Sequence, residues 1–298
     1  MQISEILSFL KEGGLPFTFT GNETDEVEHF SSLRQYKPGT FTWVKKAENI
    51  PENYDLSQIT LAVASETVEG NFRNVIHTPE SKRVFFSTIE HFYMEEKDCP
   101  AVGQFTYISP KVKLGKNVRI GHNCTLDGDI TIGDNTIIWN HVTLLNRVSV
   151  GQECEIQSGT VIGHDGFAYT EDADHKKTMV KHFGGVSIGD QVLIGENCCI
   201  NRGTIDDTVI GRGAKIAHLC HVAHNVQIGE NVFLISGCIV NGSCQIKNNA
   251  YIAGLVVRNQ SVIGENAFVG LGAVVVKDVE PGQTVVGNPA KPFVRKKE

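Results

Sequence analysis

The sequence predicts a left-handed parallel β-helix preceded by a small α/β domain, on three observations. Aliphatic residues recur at every sixth position through most of the chain. That period is neither the 3.6 of an amphipathic helix nor the 2 of a half-buried strand. Residues 1–100 lack it and alternate short helix-like and strand-like runs instead.

In residues 1–100, Ser4 to Lys11 reads as a short amphipathic helix stopped by Gly13-Gly14. Apolar runs at Phe41–Val44, Thr60–Ala64 and Asn74–His77 read as strands, and Ser81–Tyr93 as a second helix. The expected unit is a compact α/β domain over 1–100, with Cys99-Pro100 at its junction.

From residue 101 the repeat takes over. Ile108, Leu114, Ile120, Leu126, Ile132, Ile138, Leu144, Val150, Ile156 and Ile162 follow one another at six-residue intervals without a miss. The phase is lost after Gly163 and returns at Ile188, Ile194 and Ile200. After a five-residue step through Ile205 to Ile210 it continues from Ile216 to Ile252, and a last stretch carries Val257, Ile263, Val269 and Val275. Six residues per flat face and three faces per turn make a triangular coil of about 18 residues, stacked as parallel strands. The hexads amount to about eight or nine such coils over 101–280, followed by a loop and tail over 281–298. Gly often follows the aliphatic residue, as at Gly121 and Gly133, where a corner tolerates little side chain and favours unusual backbone angles.

Four residues after the aliphatic position a second inward site wants a small side chain. Cys124, Cys154, Cys198, Cys220, Cys238 and Cys244 all occupy it. Free Cys packs as a small hydrophobe, and the chain has no C-x-x-C pair or zinc-like spacing, so these thiols read as packing and no metal site is expected. The out-of-phase segment 163–187 reads as a loop projecting from the prism, and long loops on rigid scaffolds often carry function.

The net charge of −7 argues against a nucleic-acid surface, which needs a basic patch. No apolar run approaches the roughly 18 residues of a membrane span. The start, Met1-Gln2-Ile3-Ser4-Glu5, does not resemble a signal peptide, so the expected location is cytoplasmic.

Particular segments go beyond the hexads. Phe30-Ser-Ser-Leu-Arg-Gln-Tyr-Lys-Pro-Gly-Thr-Phe-Thr-Trp43, Ile156-Gln-Ser-Gly-Thr-Val-Ile-Gly-His-Asp-Gly-Phe167, Asn201-Arg-Gly-Thr-Ile-Asp-Asp-Thr-Val-Ile-Gly211 and Val222-Ala-His-Asn-Val226 stand out. With them the chain resembles the UDP-3-O-acylglucosamine N-acyltransferases of lipid A biosynthesis over nearly its full length. The resemblance implies a homotrimer with active sites between neighbouring prisms, moving an acyl group from a thioester to the amine of a nucleotide-linked sugar. It puts the catalytic His on His224 and a nucleotide-stacking aromatic on Trp43. Asp165 and Phe167, in the matching loop motif, join Trp43 as expected nucleotide-sugar contacts. The chain also departs from the family. The Asp seven residues before the catalytic His falls on Ala217, a second His on Ser261, and a pocket Tyr on Asn49. Where the family has a helical extension that helps dock acyl carrier protein, Val286-Gly-Asn-Pro-Ala-Lys-Pro292 looks like the closing loop of coenzyme A-dependent hexapeptide acyltransferases.

Acyl transfer to an amine requires a proton acceptor and a stabilised oxyanion. His224 lies two residues after the inward Val222, at the exposed end of a hexad, and the coil-equivalent position before it is Asp207, expected to orient it. The bland alternative is a solvated corner histidine, and His218 and His221 on the same hexads read as surface residues. Trp43 has a flat face suited to a pyrimidine or, alternatively, to the domain core. Gly254, Gly270, Gly272 and Ala273 would let a pantetheine arm lie along a groove, with Lys291 and Arg295 at the phosphates of acyl-CoA; a basic tail is otherwise simply solvated. The expected activity is N-acyl transfer from acyl-CoA, as a co-substrate rather than a resident cofactor. The alternative is the lipid A reaction with acyl carrier protein. Two other classes share the prism: a γ-type carbonic anhydrase, whose zinc ligand pattern the spacing of His218, His221 and His224 does not match, and a non-catalytic scaffold, which has no need of the 163–187 interruption.

Overall fold

A computed structural model describes residues 1–52, 54–94 and 99–293. The chain divides into two compact units, Met1–Lys97 and Asp98–Glu298.

The first unit is a five-stranded sheet with two helices. Its helix α1 (Ile3–Glu12) buries Ile3, Ile6, Leu7 and Leu10, spaced to fall on one stripe. The backbone N–H of Gln2 donates to the Glu5 carboxylate at 2.6 Å at its start, and Gly14, at φ +63°, turns the chain out of its end. Strands Thr18–Thr20, Val75–His77, Leu61–Ala64, Thr40–Val44 and His29–Phe30 lie side by side in that order, the first pair antiparallel and the rest parallel. Leu61–Ala64 is buried along its whole length. Leu61 and Val63 pack with α1 and the second helix, α2 (Ser81–Tyr93), while Ala62 and Ala64 pack with Leu33, Ile59 and Val68 on the other face. A continuous apolar run is what a central parallel strand covered on both faces requires.

The second unit is the left-handed parallel β-helix. One face is a ten-stranded sheet running from Arg119–Ile120 through Ile137–Ile138, Glu155–Ile156, Leu193–Ile194, Lys215–Ile216, Phe233–Leu234, Tyr251–Ile252 and Phe268–Val269 to Thr284–Val286. All of these are parallel rungs, and Lys291–Pro292 closes the stack antiparallel to Thr284–Val286. The other two faces merge into one sheet because Thr125–Ile132 and Thr143–Val150 turn the corner between them without a break. The hexad aliphatics from Ile120 to Val275 are 3% exposed or less except Ile205, which is 78% exposed. The expected five-residue step through Ile205 is instead an insertion: Ile188 pairs with Ile210, 22 residues on, whereas Ile210 pairs with Ile228, 18 residues on, so Ile205 bulges out of the coil between Ile200 and Ile210. The six cysteines of the second inward position are buried beside them. Burial pushes the Cys238 thiol up to about 12, leaving it protonated and inert.

The glycines after the aliphatic residue act differently from the expectation. Gly121 and Gly133 do not have left-handed backbone; a Cβ on either would come within 2.8 Å of backbone atoms in the next coil. The left-handed corner falls two residues later, on Asn123 (φ +56°) and Asn135 (φ +56°), where asparagine tolerates that conformation. Glycine thus gives close stacking, and asparagine gives the turn.

The projecting segment is narrower than 163–187. Gly163 and His164 still belong to strand Val161–His164, and Val186–Ile188 is already a rung. Between them, Tyr169–Glu171 and Lys177–Met179 pair as an antiparallel hairpin.

Candidate active site

The two irregularities of the repeat are bonded to each other. The backbone N–H groups of Phe183 and Gly184, at the end of the hairpin loop, donate to the carbonyls of Thr204 (2.8 Å) and Gly203 (3.0 Å) in the segment between Ile200 and Ile210. Arg202 returns the contact, its N–H to the His164 carbonyl at 3.0 Å and its Nε to the Gly184 carbonyl at 2.5 Å. The loop is therefore folded back over the coil that leads to His224.

His224 stands at the corner after the buried Val222. Its ring lies between two glycines, Gly166 of the loop and Gly242 of the following coil. A Cβ on Gly166 would sit 2.9 Å from Cδ2, and one on Gly242 would sit 2.8 Å from Cε1 and 2.9 Å from Nε2. Nδ1 is 2.9 Å from Oδ1 of Asn225, which also accepts from the Thr204 N–H (3.2 Å) and hydroxyl (3.0 Å). An oxygen already collecting two donors is an acceptor here, so Nδ1 carries the proton and Nε2 the lone pair. Asn225 is held by its left-handed backbone (φ +61°) and by its N–H donating to Thr208 Oγ1 at 2.9 Å.

A cavity of about 450 Å³ opens beside this ring, lined by Phe167, His221, His224, Asn241, Gly242 and Gln260 among others. His221 is half-buried, and burial pushes it below the ordinary imidazole range, the neighbouring His224 adding to the effect and the Cys199 backbone opposing it. A second hollow, about 500 Å³ between Lys247–Asn248 and Asp278–Pro281, gathers acidic side chains but no histidine or thiol.

The expected site residues separate into groups. Phe167 joins His224 at the cavity and is 88% exposed. Asp165 lies in the same loop, 3.9 Å from the Arg202 guanidinium. Asp207 does not orient His224. The insertion between Ile200 and Ile210 places it at the loop base, where its carboxylate accepts from the Gly185 N–H at 2.7 Å and pairs with Arg147. Asn225 takes the role expected of it. His218 is a surface residue whose Nδ1 accepts from the Glu196 N–H, whereas His221 is a cavity residue and not the surface residue expected. Among the described residues no group of three or more His, Cys, Asp or Glu could hold a metal ion.

Gly254, Gly270 and Ala273 do not line a groove. All three are buried; a Cβ on Gly254 would meet Val269 and the Ala273 carbonyl at 2.8 and 2.9 Å, and one on Gly270 would meet Val286 at 2.7 Å. Their smallness serves packing between coils. Lys291 is exposed on the closing strand, and Arg295 lies outside the described residues.

In the first unit, Trp43 is half-buried, with Nε1 donating to Ser81 Oγ at 3.1 Å. It lines a hollow of about 700 Å³ together with Lys45, Lys82, Arg83 and Phe86. Glu80 and Glu90 also line it, Glu80 paired with Arg83 at 2.8 Å, and the ring beside Lys45 and Lys82 is a combination suited to a base and its phosphates.

Sequence reasoning missed Asn225, His182, Asn241 and Gln260. Only Asn225 had a local signal, as the neighbour of His224 within a matched motif.

Comparison with known proteins agrees with the resemblance. Residues 129–164 match the family described as bacterial transferase hexapeptide (six repeats). Residues 111–145 and 185–217 match the hexapeptide repeat of succinyl-transferase. A UDP-3-O-acylglucosamine N-acyltransferase of Francisella tularensis is 30% identical over 236 residues, covering 71% of this chain and 66% of that protein. One from Coxiella burnetii is 35% identical over 192 residues, covering 52% and 56%. The chain thus spans somewhat under two thirds of the length of these relatives. Among solved structures, the Francisella novicida UDP-N-acetylglucosamine acyltransferase superposes with a TM-score of 0.57 at 27% identity, covering 63% of this chain and 68% of that one.

Proposed function

We propose that this chain, a hexapeptide-repeat protein similar to the UDP-3-O-acylglucosamine N-acyltransferases, transfers an acyl group from a thioester to the amine of a nucleotide-linked amino sugar. The observation that carries this reading is the His224 ring, fixed by Asn225 with its Nε2 lone pair beside the Gly242 wall of the cavity. The amine nitrogen attacks the thioester carbon, and Nε2 takes the amine proton as the C–N bond forms. The tetrahedral oxyanion then collapses, the C–S bond breaks, and the thiolate leaves with the electron pair and takes the proton from His224. Phe167 lines the same cavity from the loop. Asp165, held near Arg202, belongs to the acceptor side of the same loop, and the hollow at Trp43 suits the nucleotide.

The donor in this reading is acyl-CoA, supported by the likeness of Val286-Gly-Asn-Pro-Ala-Lys-Pro292 to the closing loop of coenzyme A-dependent hexapeptide acyltransferases. The second reading, the lipid A reaction with acyl carrier protein, is favoured by the names of the relatives. A homotrimer and a cytoplasmic location accompany either one.

The test is thiol release by the purified full chain, with acyl-CoA or acylated carrier protein as donor and UDP- or dTDP-amino sugars as acceptors. Release that requires an amino sugar is expected. His224→Ala is expected to lower kcat/KM by about 10²–10⁴-fold; if it keeps most of its activity, His224 is not the base.

A further inference from the structure

His182, in the returning limb of the loop, takes no part in the mechanism above. Its side chain is only 5% exposed. Nδ1 is 2.8 Å from the Val180 carbonyl. A carbonyl only accepts, so Nδ1 carries a proton, and in the neutral ring Nε2 holds the lone pair. That Nε2 is buried with no hydrogen-bond partner. A buried acceptor left unpaired is unfavourable, and such an exception calls for an explanation.

The ring faces one neighbour of consequence. The His182 and His224 rings meet edge to face, with centroids 5.5 Å apart and planes at 85°. Gly166 fits where the two meet: a Cβ there would lie 3.3 Å from His182 Nε2 and 2.9 Å from His224 Cδ2. The missing side chain at Gly166 is what lets the two rings come together.

A histidine that accepts a proton becomes a cation, and a nearby carboxylate is the usual means of stabilising it. Here that means is lacking. Asp207 is engaged by Arg147 and Gly185, Ala217 stands where the resemblance puts an Asp, and among the described residues no carboxylate pairs with His224. We propose that His182 is a positioning residue for the base, a buried neutral imidazole that holds the His224 ring edge-on and stabilises its protonated form during acyl transfer. The proposal rests on the acyltransferase reading. In the step itself the amine proton moves to His224 Nε2 and on to the departing thiolate, and His182 neither gains nor loses a proton. Its contribution is the unpartnered lone pair held near the imidazolium in a low-dielectric pocket.

The test compares the intact wild-type chain with His182→Leu, which removes the ring and lone pair, and His182→Gln, which restores an acceptor oxygen. Acyl transfer is measured with saturating and limiting amounts of each substrate, and folding by thermal melting. His182→Leu is expected to lower kcat about tenfold or more, with KM for donor and acceptor within about twofold, and His182→Gln to recover most of the loss. If His182→Leu does not fold, His182→Phe, which keeps a ring without the lone pair, takes its place with the same expected direction. Unchanged kcat, a loss confined to KM, or equal loss in the Leu and Gln variants overturns the proposal while leaving the acyltransferase reading intact. A wild-type chain that transfers no acyl group, or a His224→Ala variant that transfers it normally, overturns that reading and this proposal with it.

Discussion

The coils from Ile108 to Ile156 and those from Ile162 to Val226 obey the same inward rule but differ in what surrounds it. The first stretch is unbroken, with two long strands turning its corner in full register. The second contains a projecting hairpin and an insertion between Ile200 and Ile210, and its register shifts between Ile162 and His164. The polar groups assembled around His224 come largely from the second stretch or the coil directly after it. The repeat settles packing so uniformly that it leaves no corner different from another. Chemistry arises where two departures from the repeat are bonded together, because only there do backbone segments of different coils converge on one side chain.

That contrast can be broken from either side. In the regular stretch, Ile138→Ala removes a fully buried side chain and is expected to cost about 2–5 kcal/mol in denaturant unfolding. The kcat/KM of the molecules that remain folded should be unchanged; a large activity loss would mean the two stretches are more tightly coupled than nearest-neighbour stacking allows. In the irregular stretch the reverse is expected. Gly242→Ala forces its Cβ against the His224 ring, and overpacking of about 1–3 kcal/mol corresponds to a loss of roughly 5–100-fold in kcat/KM. Its melting temperature should fall much less than that of Ile138→Ala. Asn225→Gly keeps the left-handed corner and deletes the acceptor at Nδ1. Losing one hydrogen bond of about 1 kcal/mol allows the wrong tautomer, and kcat/KM should fall by up to about tenfold.

The smallest effect concerns His221. Its folded form resists protonation, chiefly through burial, so the unfolded chain binds the proton more readily. Stability from this group is present above the ordinary imidazole value of about 6.5 and declines as pH falls through it toward the lowered value. Urea midpoints of wild type should therefore drop on acidification through that window more than those of His221→Gln. Parallel curves for the two proteins would remove His221 as the source.

The prism was legible because a six-residue period places the same side chain inward on every face, a constraint visible without tertiary information. The loop was legible as a loss of phase, though Gly163 and Val186 showed that strands persist into residues without the pattern. Asp207 was misjudged for a geometric reason. The coil equivalents were counted as if Ile205 marked a shortened hexad, whereas the segment from Ile200 to Ile210 carries extra residues that put Ile205 in solvent and Asp207 at the loop base. Gly254, Gly270 and Ala273 signalled close approach correctly, but a missing side chain does not say whether the neighbour is a ligand or the next coil. His182 carried no local pattern at all, since its value depends on a contact made only when the hairpin folds back.

The closing strand has a consequence for the molecule as a polymer subunit. A stack of parallel rungs is open-ended by construction, its last strand offering N–H and C=O groups to any like strand. Here Lys291–Pro292 runs back along Thr284–Val286 in the opposite sense, and the Phe293 N–H takes the Thr284 carbonyl at 2.8 Å. The strand then presented outward has the wrong polarity for another parallel rung, lacks a donor at its proline and carries a lysine charge. End-to-end growth of rods into filaments is thereby discouraged along this strand.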